Sequence, residues 1–270
     1  MNIFRRHAMN IFITGAAGGL GRAAADFFAA HGAQVYACDL REIPEHGGIR
    51  SFQADITKES DLLAVRERLL QENVRLDCIA NIAGMHLMDS FLEIGEERLR
   101  RIVNVNLLGA VRVNKILFPL LNPGGKIIVV TSEVAPLGPL PFNSVYSVTK
   151  TALDSYAQAL RQEAGLLGVK VVTVRPGAFR TPLEGGSIPA MREMSAHSRY
   201  FGGQADRFER IMTRFTGRPA EPERLAALLL RIAHSKHPRC VYTIHANVLL
   251  RLLGSLPPGA QARIVRRLIG

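Results

Sequence analysis

The chain has 270 residues, 47% of them hydrophobic, and 34 Lys+Arg against 23 Asp+Glu give a net charge of +11. That length suits one large α/β domain with a substantial core and is short for two. No apolar run reaches the roughly 18 residues that read as a membrane-spanning helix, which excludes an integral span of that kind.

The charge is uneven. Residues 1–174 hold 18 Lys+Arg and 17 Asp+Glu, whereas residues 175–270 hold 16 and 6. The excess in the last third has two readings: attraction to an anionic substrate or an acidic lipid surface, or a solvated basic face. Nucleic acid is not indicated, because no binding motif and no basic patch interleaved with aromatics occurs. Cys38, Cys78 and Cys240 are scattered in apolar runs. An odd, unclustered set argues against a disulfide framework or a zinc site and fits buried free thiols in a reducing cytoplasm. His234 and His237 lack a third ligand candidate, so no metal site is expected.

In chain order, Met1-Asn-Ile-Phe4 recurs as Met9-Asn-Ile-Phe12, and the first strand begins at the second copy. Residues 1–8 read as a disordered extension. Strands are predicted at Asn10–Thr14, Gln34–Asp39, Ile49–Ala54, Cys78–Ile82, Lys126–Ser132 and Lys170–Arg175, with a last short one at Cys240–Ile244. Several are continuous apolar runs, as parallel strands covered on both faces require. Helical patterns lie between them at Leu20–Ala30, Glu59–Gln71, Glu96–Leu121 and Val145–Leu166. Such alternation predicts an α/β fold, a Rossmann-type doubly wound parallel β-sheet flanked by helices, over residues 9–244. Residues 183–217 break the rhythm and read as a lid insertion over the site, built of two short helices and a mobile loop. Pro222–His234 is a further helix. Residues 245–270 form a C-terminal amphipathic helical extension, Val248–Leu256 and Ala260–Ile269, broken at Pro257-Pro258-Gly259.

Thr14 ends the first strand, and Thr14-Gly-Ala-Ala-Gly-Gly-Leu-Gly21 turns into a helix. Glycines there permit a tight turn and close approach of backbone to phosphate, and the helix N-terminus offers free N–H groups to a pyrophosphate. Asp39 closes the second strand, where an acidic side chain hydrogen-bonds the adenosine ribose and repels a 2′-phosphate, favouring NAD over NADP. Arg22 and Arg41 are nearby cations that offset part of that repulsion. Tyr146 and Lys150 are four residues apart, just over one helical turn, so both project from one face. A tyrosine holds its proton until a pH of about 10. A neighbouring ammonium lowers that value, toward a phenol able to exchange a proton with an alcohol or ketone oxygen near neutrality.

From Asn10 to Tyr242 the chain resembles the classical short-chain dehydrogenase/reductase (SDR) family. The resemblance implies a cofactor motif at Thr14, Gly15, Gly19, Leu20 and Gly21, with Asp39 at the ribose and Asp55 and Ile56 at the adenine. Asn81-Ile82-Ala83-Gly84 is similar to the family's Asn-Asn-Ala-Gly segment, with Ile82 in place of the second Asn. Asn81, Ala83 and Gly84 would line the cofactor. Arg175-Pro176-Gly177, with Phe179 and Thr181, resembles the segment that grips the nicotinamide carboxamide. Ser132 resembles the catalytic serine, 14 residues before Tyr146 where 12 or 13 is more usual. Thr131 and Ser144 fit that role less well. Asn106 resembles the helix-kink asparagine that holds a proton-relay water. Asn106, Ser132, Tyr146 and Lys150 thus form the implied catalytic set. Lys150 is also implied to bond the nicotinamide ribose.

The expected activity is hydride transfer between NAD, or NADP, and a secondary alcohol or ketone. The alternatives are an NADPH-dependent carbonyl reductase and a non-catalytic dinucleotide sensor. Met85, His86 and Met88 are placed at the pocket mouth, with His86 read as a loop residue. Met191, Met194, Tyr200, Phe201, Phe208 and Met212 are placed in the lid, walls that suit a bulky apolar substrate or are ordinary packing. The resemblance implies a homodimer or homotetramer. The basic amphipathic C-terminus could pack on the domain, cover a subunit or rest on an anionic membrane.

Overall fold

The computed structural model describes residues 8–181, 187–215 and 217–270. The expected extension, apart from Ala8, and residues 183–186 and 216 of the expected lid lie outside the described residues. Seven strands form one sheet: β1 (Asn10–Thr14), β2 (Gln34–Asp39), β3 (Ile49–Gln53), β4 (Leu76–Asn81), β5 (Leu121–Val130), β6 (Lys170–Pro176) and β7 (Val241–Ile244). Their spatial order is β3-β2-β1-β4-β5-β6-β7, and every pairing is parallel. The chain winds outward from β1 to β3, returns to β4 and winds out the other way. The switch point therefore falls between the carboxyl ends of β1 and β4, where such sheets open a ligand crevice.

Parallel strands buried on both faces explain the apolar runs. Alternate residues of β1 serve opposite cores: Ile11 and Ile13 join one cluster, Phe12 the other. The first cluster is roofed by α1 (Gly19–Ala30) and by α8 (Pro222–His234). The second lies under α2 (Glu59–Gln71), α4 (Ala110–Leu117) and α5 (Ser144–Leu166).

The expected helix over Glu96–Leu121 is not continuous. It comprises α3 (Glu96–Val103), a π-helical segment over Asn104–Gly109, α4 and a 3₁₀ turn at Phe118–Leu120. The next strand begins at Leu121, earlier than expected, and β4 begins at Leu76 with a register shift between Leu76 and Cys78. Asn122-Pro-Gly-Gly looks like a turn in sequence but lies in the entry to β5. The lid contains α6 (Ser187–His197) and α7 (Gly202–Phe215), and the chain closes with α9 (Val248–Gly254) and α10 (Pro258–Ile269). No helix among the described residues is long and apolar enough to cross a membrane.

Asp154 of α5 holds Arg175 of β6 through two parallel bonds of 2.8 and 2.7 Å. Thr131 adds a third at 3.2 Å. Burial alone would raise the Asp154 pKa, but these donors outweigh it and hold the carboxyl below its ordinary value. Removing one partner of such a pair strands the other charge. Asp154→Ala is expected to destabilise the fold by about 3–5 kcal/mol, read as a lower denaturant midpoint at unchanged slope; a loss under about 1 kcal/mol would mean the pair does not brace the helix.

Candidate active site

The glycine turn is shaped by close backbone approach. Gly15 has φ +74°, and a side chain there would start 2.7 Å from the Ala83 Cα. At Gly21 it would start 2.1 Å from the Gly15 carbonyl oxygen, so only glycine lets α1 seat against the turn. Thr14 Oγ1 accepts the N–H groups of Ile82 and Ala83, each at 3.1 Å, and so joins the ends of β1 and β4 across the switch point. No side chain caps α1 and its first turn carries no acidic residue. That leaves its positive end available to an anion.

Asp39 accepts the Ala17 N–H and the Arg41 N–H, both at 3.0 Å. Arg41 Nε lies 3.7 Å from Asp39 Oδ1, and its guanidinium covers Gly18. Arg22 is engaged with Asp26 at 2.7 Å. Of the two expected cations, Arg41 is therefore the one that accompanies Asp39. Asp55 Oδ1 accepts from the Thr57 N–H and hydroxyl, which commits half of the carboxylate to the turn into α2. Ile56 is buried in the second core.

On the opposite wall, Ser132 lies just beyond β5, close enough to Tyr146 to influence its phenol, and its hydroxyl accepts the Val134 N–H at 3.4 Å. Lys150 is buried; its Nζ donates to the Val130 carbonyl at 3.4 Å and lies 5.8 Å from the centre of the Tyr146 ring. The point where a Gly84 side chain would begin is 3.2 Å from Lys150 Nζ and 3.3 Å from Asn106 Oδ1. Asn106 accepts the Met85 N–H at 2.8 Å and donates to the Met85 carbonyl at 2.9 Å and to Thr149 at 3.0 Å. It thus clamps the loop after β4 onto α5. Asn81 turns its amide to Asn114 at 2.8 Å, within the fold.

A cavity of about 810 Å³ gathers Leu20, Gly84, Ser132, Tyr146, Lys150 and the Pro176–Gly177 turn. Phe179 and Thr181 also border it, although the Phe179 ring is buried in the first core. Asp39 and Asp55 do not line it. A smaller hollow of about 540 Å³, between α10 and the loop carrying Pro139 and Phe142, holds none of these groups. The lid contributes Met191 and Met212 to the larger cavity. Met194, Phe201 and Phe208 do not line it; they pack with Phe142 behind Met88, Met191 and Met212 in the same apolar cluster, and Tyr200 is exposed.

Two further side chains take up positions that their proximity in sequence does not define. His86 sets its ring edge on Tyr146, 4.4 Å between centroids, and its Nε2 is 2.9 Å from Asn143 Oδ1. Burial pushes its pKa down, so the ring is neutral at pH 7. Glu133 accepts the Asn247 N–H, which draws the segment from His245 to Leu250 into the cavity wall. Burial raises the Glu133 carboxyl.

The phenol runs opposite to expectation. Burial pushes Tyr146 up to about 12, and the Glu133 charge adds to the rise against the lowering influence of the Ser132 side chain. Burial also pulls Lys150 down to about 8. An ammonium that loses its own hydration gives little charge to its neighbour near and above that pH.

A sequence profile described as short chain dehydrogenase matches residues 9–191. The chain is 27% identical over 230 residues to the 3-ketodihydrosphingosine reductase of Bacteroides thetaiotaomicron, spanning 84% of each. It is 33% identical over 181 residues to the L-fucose dehydrogenase of Oryctolagus cuniculus, spanning 64% of this chain and 63% of that protein. The structure superimposes on a short-chain dehydrogenase from Streptomyces avermitilis with a TM-score of 0.76 at 22% identity, over 97% of both chains. Thermoplasma acidophilum aldohexose dehydrogenase gives 0.72 at 20%, over 93% of this chain and 97% of that one. At those identities the two structures speak to the fold.

Lys150 is more easily protonated in the unfolded chain than in the fold, so between pH 8 and 10.5 stability rises with pH. Below that window the fold carries the cost of a buried ammonium. Lys150→Met is therefore expected to be more stable than the parent at pH 7, by on the order of 2–3 kcal/mol. The gap should shrink as pH approaches about 10. Thermal melts of the cofactor-free protein across that range test this, and a gap that is constant or widens with pH would contradict it.

Proposed function

The chain belongs to the short-chain dehydrogenase family, and from that premise we propose that it interconverts a bulky, apolar secondary alcohol and its ketone, with NAD as cofactor. The observation that carries this reading is the Ser132–Tyr146–Lys150 group buried at one wall of the 810 Å³ cavity. The other walls are mostly apolar, with Met85, Met88, Leu137, Leu140, Met191 and Met212, and carry Glu133, Glu209, Arg218 and His245 among them. A methionine- and leucine-rich wall adapts to a long or bulky hydrocarbon. Of the two named relatives, the one whose name gives a sphingoid ketone therefore fits better than the one that acts on a sugar.

The glycine turn and the uncapped start of α1 fit a dinucleotide, because side chains at Gly15 or Gly21 would fill the cradle. The Thr14–Gly21 turn would hold the pyrophosphate, Asp39 the adenosine ribose, and Gly84 with Pro176 to Thr181 the nicotinamide side. When bound, the cofactor supplies the hydride acceptor in oxidation and the donor in reduction. The chain's own residues manage the oxygen. Ser132 donates to it and orients it; Tyr146 gives it a proton as the ketone becomes an alcohol, or takes the hydroxyl proton in reverse. A phenol with a pKa of about 12 is protonated at neutral pH, so the free site is set to donate. Lys150 lies behind the ring, and Asn106 fixes the loop after β4 beside it. His86 and Asn143 support the ring from the opposite edge.

One observation favours a second reading, an NADPH-dependent carbonyl reductase. The Arg41 guanidinium beside Asp39 could meet a 2′-phosphate that the carboxylate alone would repel.

Tyr146→Phe is expected to lower turnover by about 10²-fold or more, with binding of cofactor retained; near-normal turnover in steady-state assays with apolar secondary alcohols would remove Tyr146 from the role. In fluorescence titrations NADH should bind more tightly than NADPH, with Asp39→Ala narrowing the difference and Arg41→Ala widening it. Tighter NADPH binding by the parent protein would transfer the assignment to the reductase.

A further inference from the structure

The last 26 residues carry an apolar surface that the fold leaves uncovered. On α9, Leu250 and Leu253 are half-buried, while Val248, Leu249 and Leu252 are 67, 54 and 60% exposed and Leu256 follows at 36%. Positions 248, 249, 252 and 256 recur at helical spacing, so they form one outward stripe. On α10, Val265 and Ile269 pack into the cluster with Phe208 and Met194, whereas Ile264 and Leu268 face outward. Neither helix is loose. Gly254 lies against Leu137, Gln261 donates to the Gly138 carbonyl at 3.1 Å, and Arg207 donates to the Ile269 carbonyl at 3.1 Å. A protein that fixes two helices firmly and still exposes six large apolar side chains on them and their connection has a surface shaped for a partner.

Charge identifies the partner. Arg251, Arg263, Arg266 and Arg267 are all exposed, and no Asp or Glu occurs from His245 to Gly270. A second copy would meet this face with the same face, because a twofold interface is self-complementary. That would bring arginines toward arginines with no acid between them. An anionic bilayer offers what both parts need, acyl chains for the leucines and phosphate or carboxylate headgroups for the arginines. We infer that α9 and α10 form a docking surface for an anionic lipid bilayer. The surface is continuous with the site: Val248 and Leu249 belong both to the exposed stripe and to the cavity wall.

Flotation of the full-length protein with phosphatidylcholine vesicles, with and without phosphatidylserine, tests this without substrate or cofactor. Its failure is thereby distinct from failure of the proposed reaction. Binding is expected only with phosphatidylserine and should weaken as salt is added. Arg263→Glu/Arg266→Glu/Arg267→Glu should lower partitioning by about a hundredfold or more, and Leu252→Glu/Leu256→Glu should reduce it to the phosphatidylcholine level. Because Leu252 and Leu256 lie outside the cavity wall and are exposed, the second variant decides the matter should the first fail to fold. The inference is overturned if the parent protein does not float with phosphatidylserine, or if Leu252→Glu/Leu256→Glu floats as the parent does. It is equally overturned if that variant's effect is to dissociate a dimer in light scattering while vesicles bind neither form.

Discussion

Three residues on one face of α5, each four apart, meet the carboxyl edge of the sheet: Tyr146, Lys150 and Asp154. The last of them is the fixed point. Its carboxylate takes both arms of Arg175 from β6 and the hydroxyl of Thr131, the neighbour of Ser132 in the chain. One turn along, Lys150 reaches the end of β5 through the Val130 carbonyl. A buried ion pair adds little net stability compared with apolar packing of similar volume, but it tolerates almost no displacement. The geometry of the reacting hydroxyls therefore follows from an electrostatic contact about two turns away from them.

That contact also separates what could be read from sequence and what could not. The strands of the first half were legible because covered parallel strands are apolar throughout, and β1 and β2 fall where the apolar runs place them. The glycine turn, Asp39, Ser132, Tyr146 and Lys150 were legible because their spacing is local and their context is strand, turn and helix. The entry to β5 was obscured by Asn122-Pro-Gly-Gly, which lies between the paired residues Leu121 and Lys126 where the register with β4 shifts. Asp154–Arg175 and His86–Tyr146 join residues 21 and 60 positions apart, and nothing local to either partner announces such a pairing. The lid aromatics left two readings open for a related reason. Apolar composition shows that side chains are covered, not whether a cavity or another helix covers them.

The titration behaviour of the central pair has the same origin. Sequence places an amine beside a phenol, and charge alone would favour the phenolate. The fold places both in an environment that penalises any charge, and desolvation dominates for each. Proximity and burial here act in opposite directions. The outcome depends on whether a compensating charge enters the same cavity, which links the ionisation of Tyr146 to what is bound and not to the helix that carries it.

The π-helical turn between α3 and α4 concerns rotation more than length. An i→i+5 turn is an α-helix with one residue inserted, so the rod's second half is twisted about its axis relative to the first. Ile102 before the turn faces the small cluster with Leu87 and Val145 next to the site, and Val113 after it faces the core beneath the sheet. Asn106 occupies the wide turn itself and reaches sideways to Met85 and Thr149. A chain shortened by one residue here would remain helical and keep its backbone bonds. Its two halves would then be out of angular phase, able to satisfy the site or the core but not both.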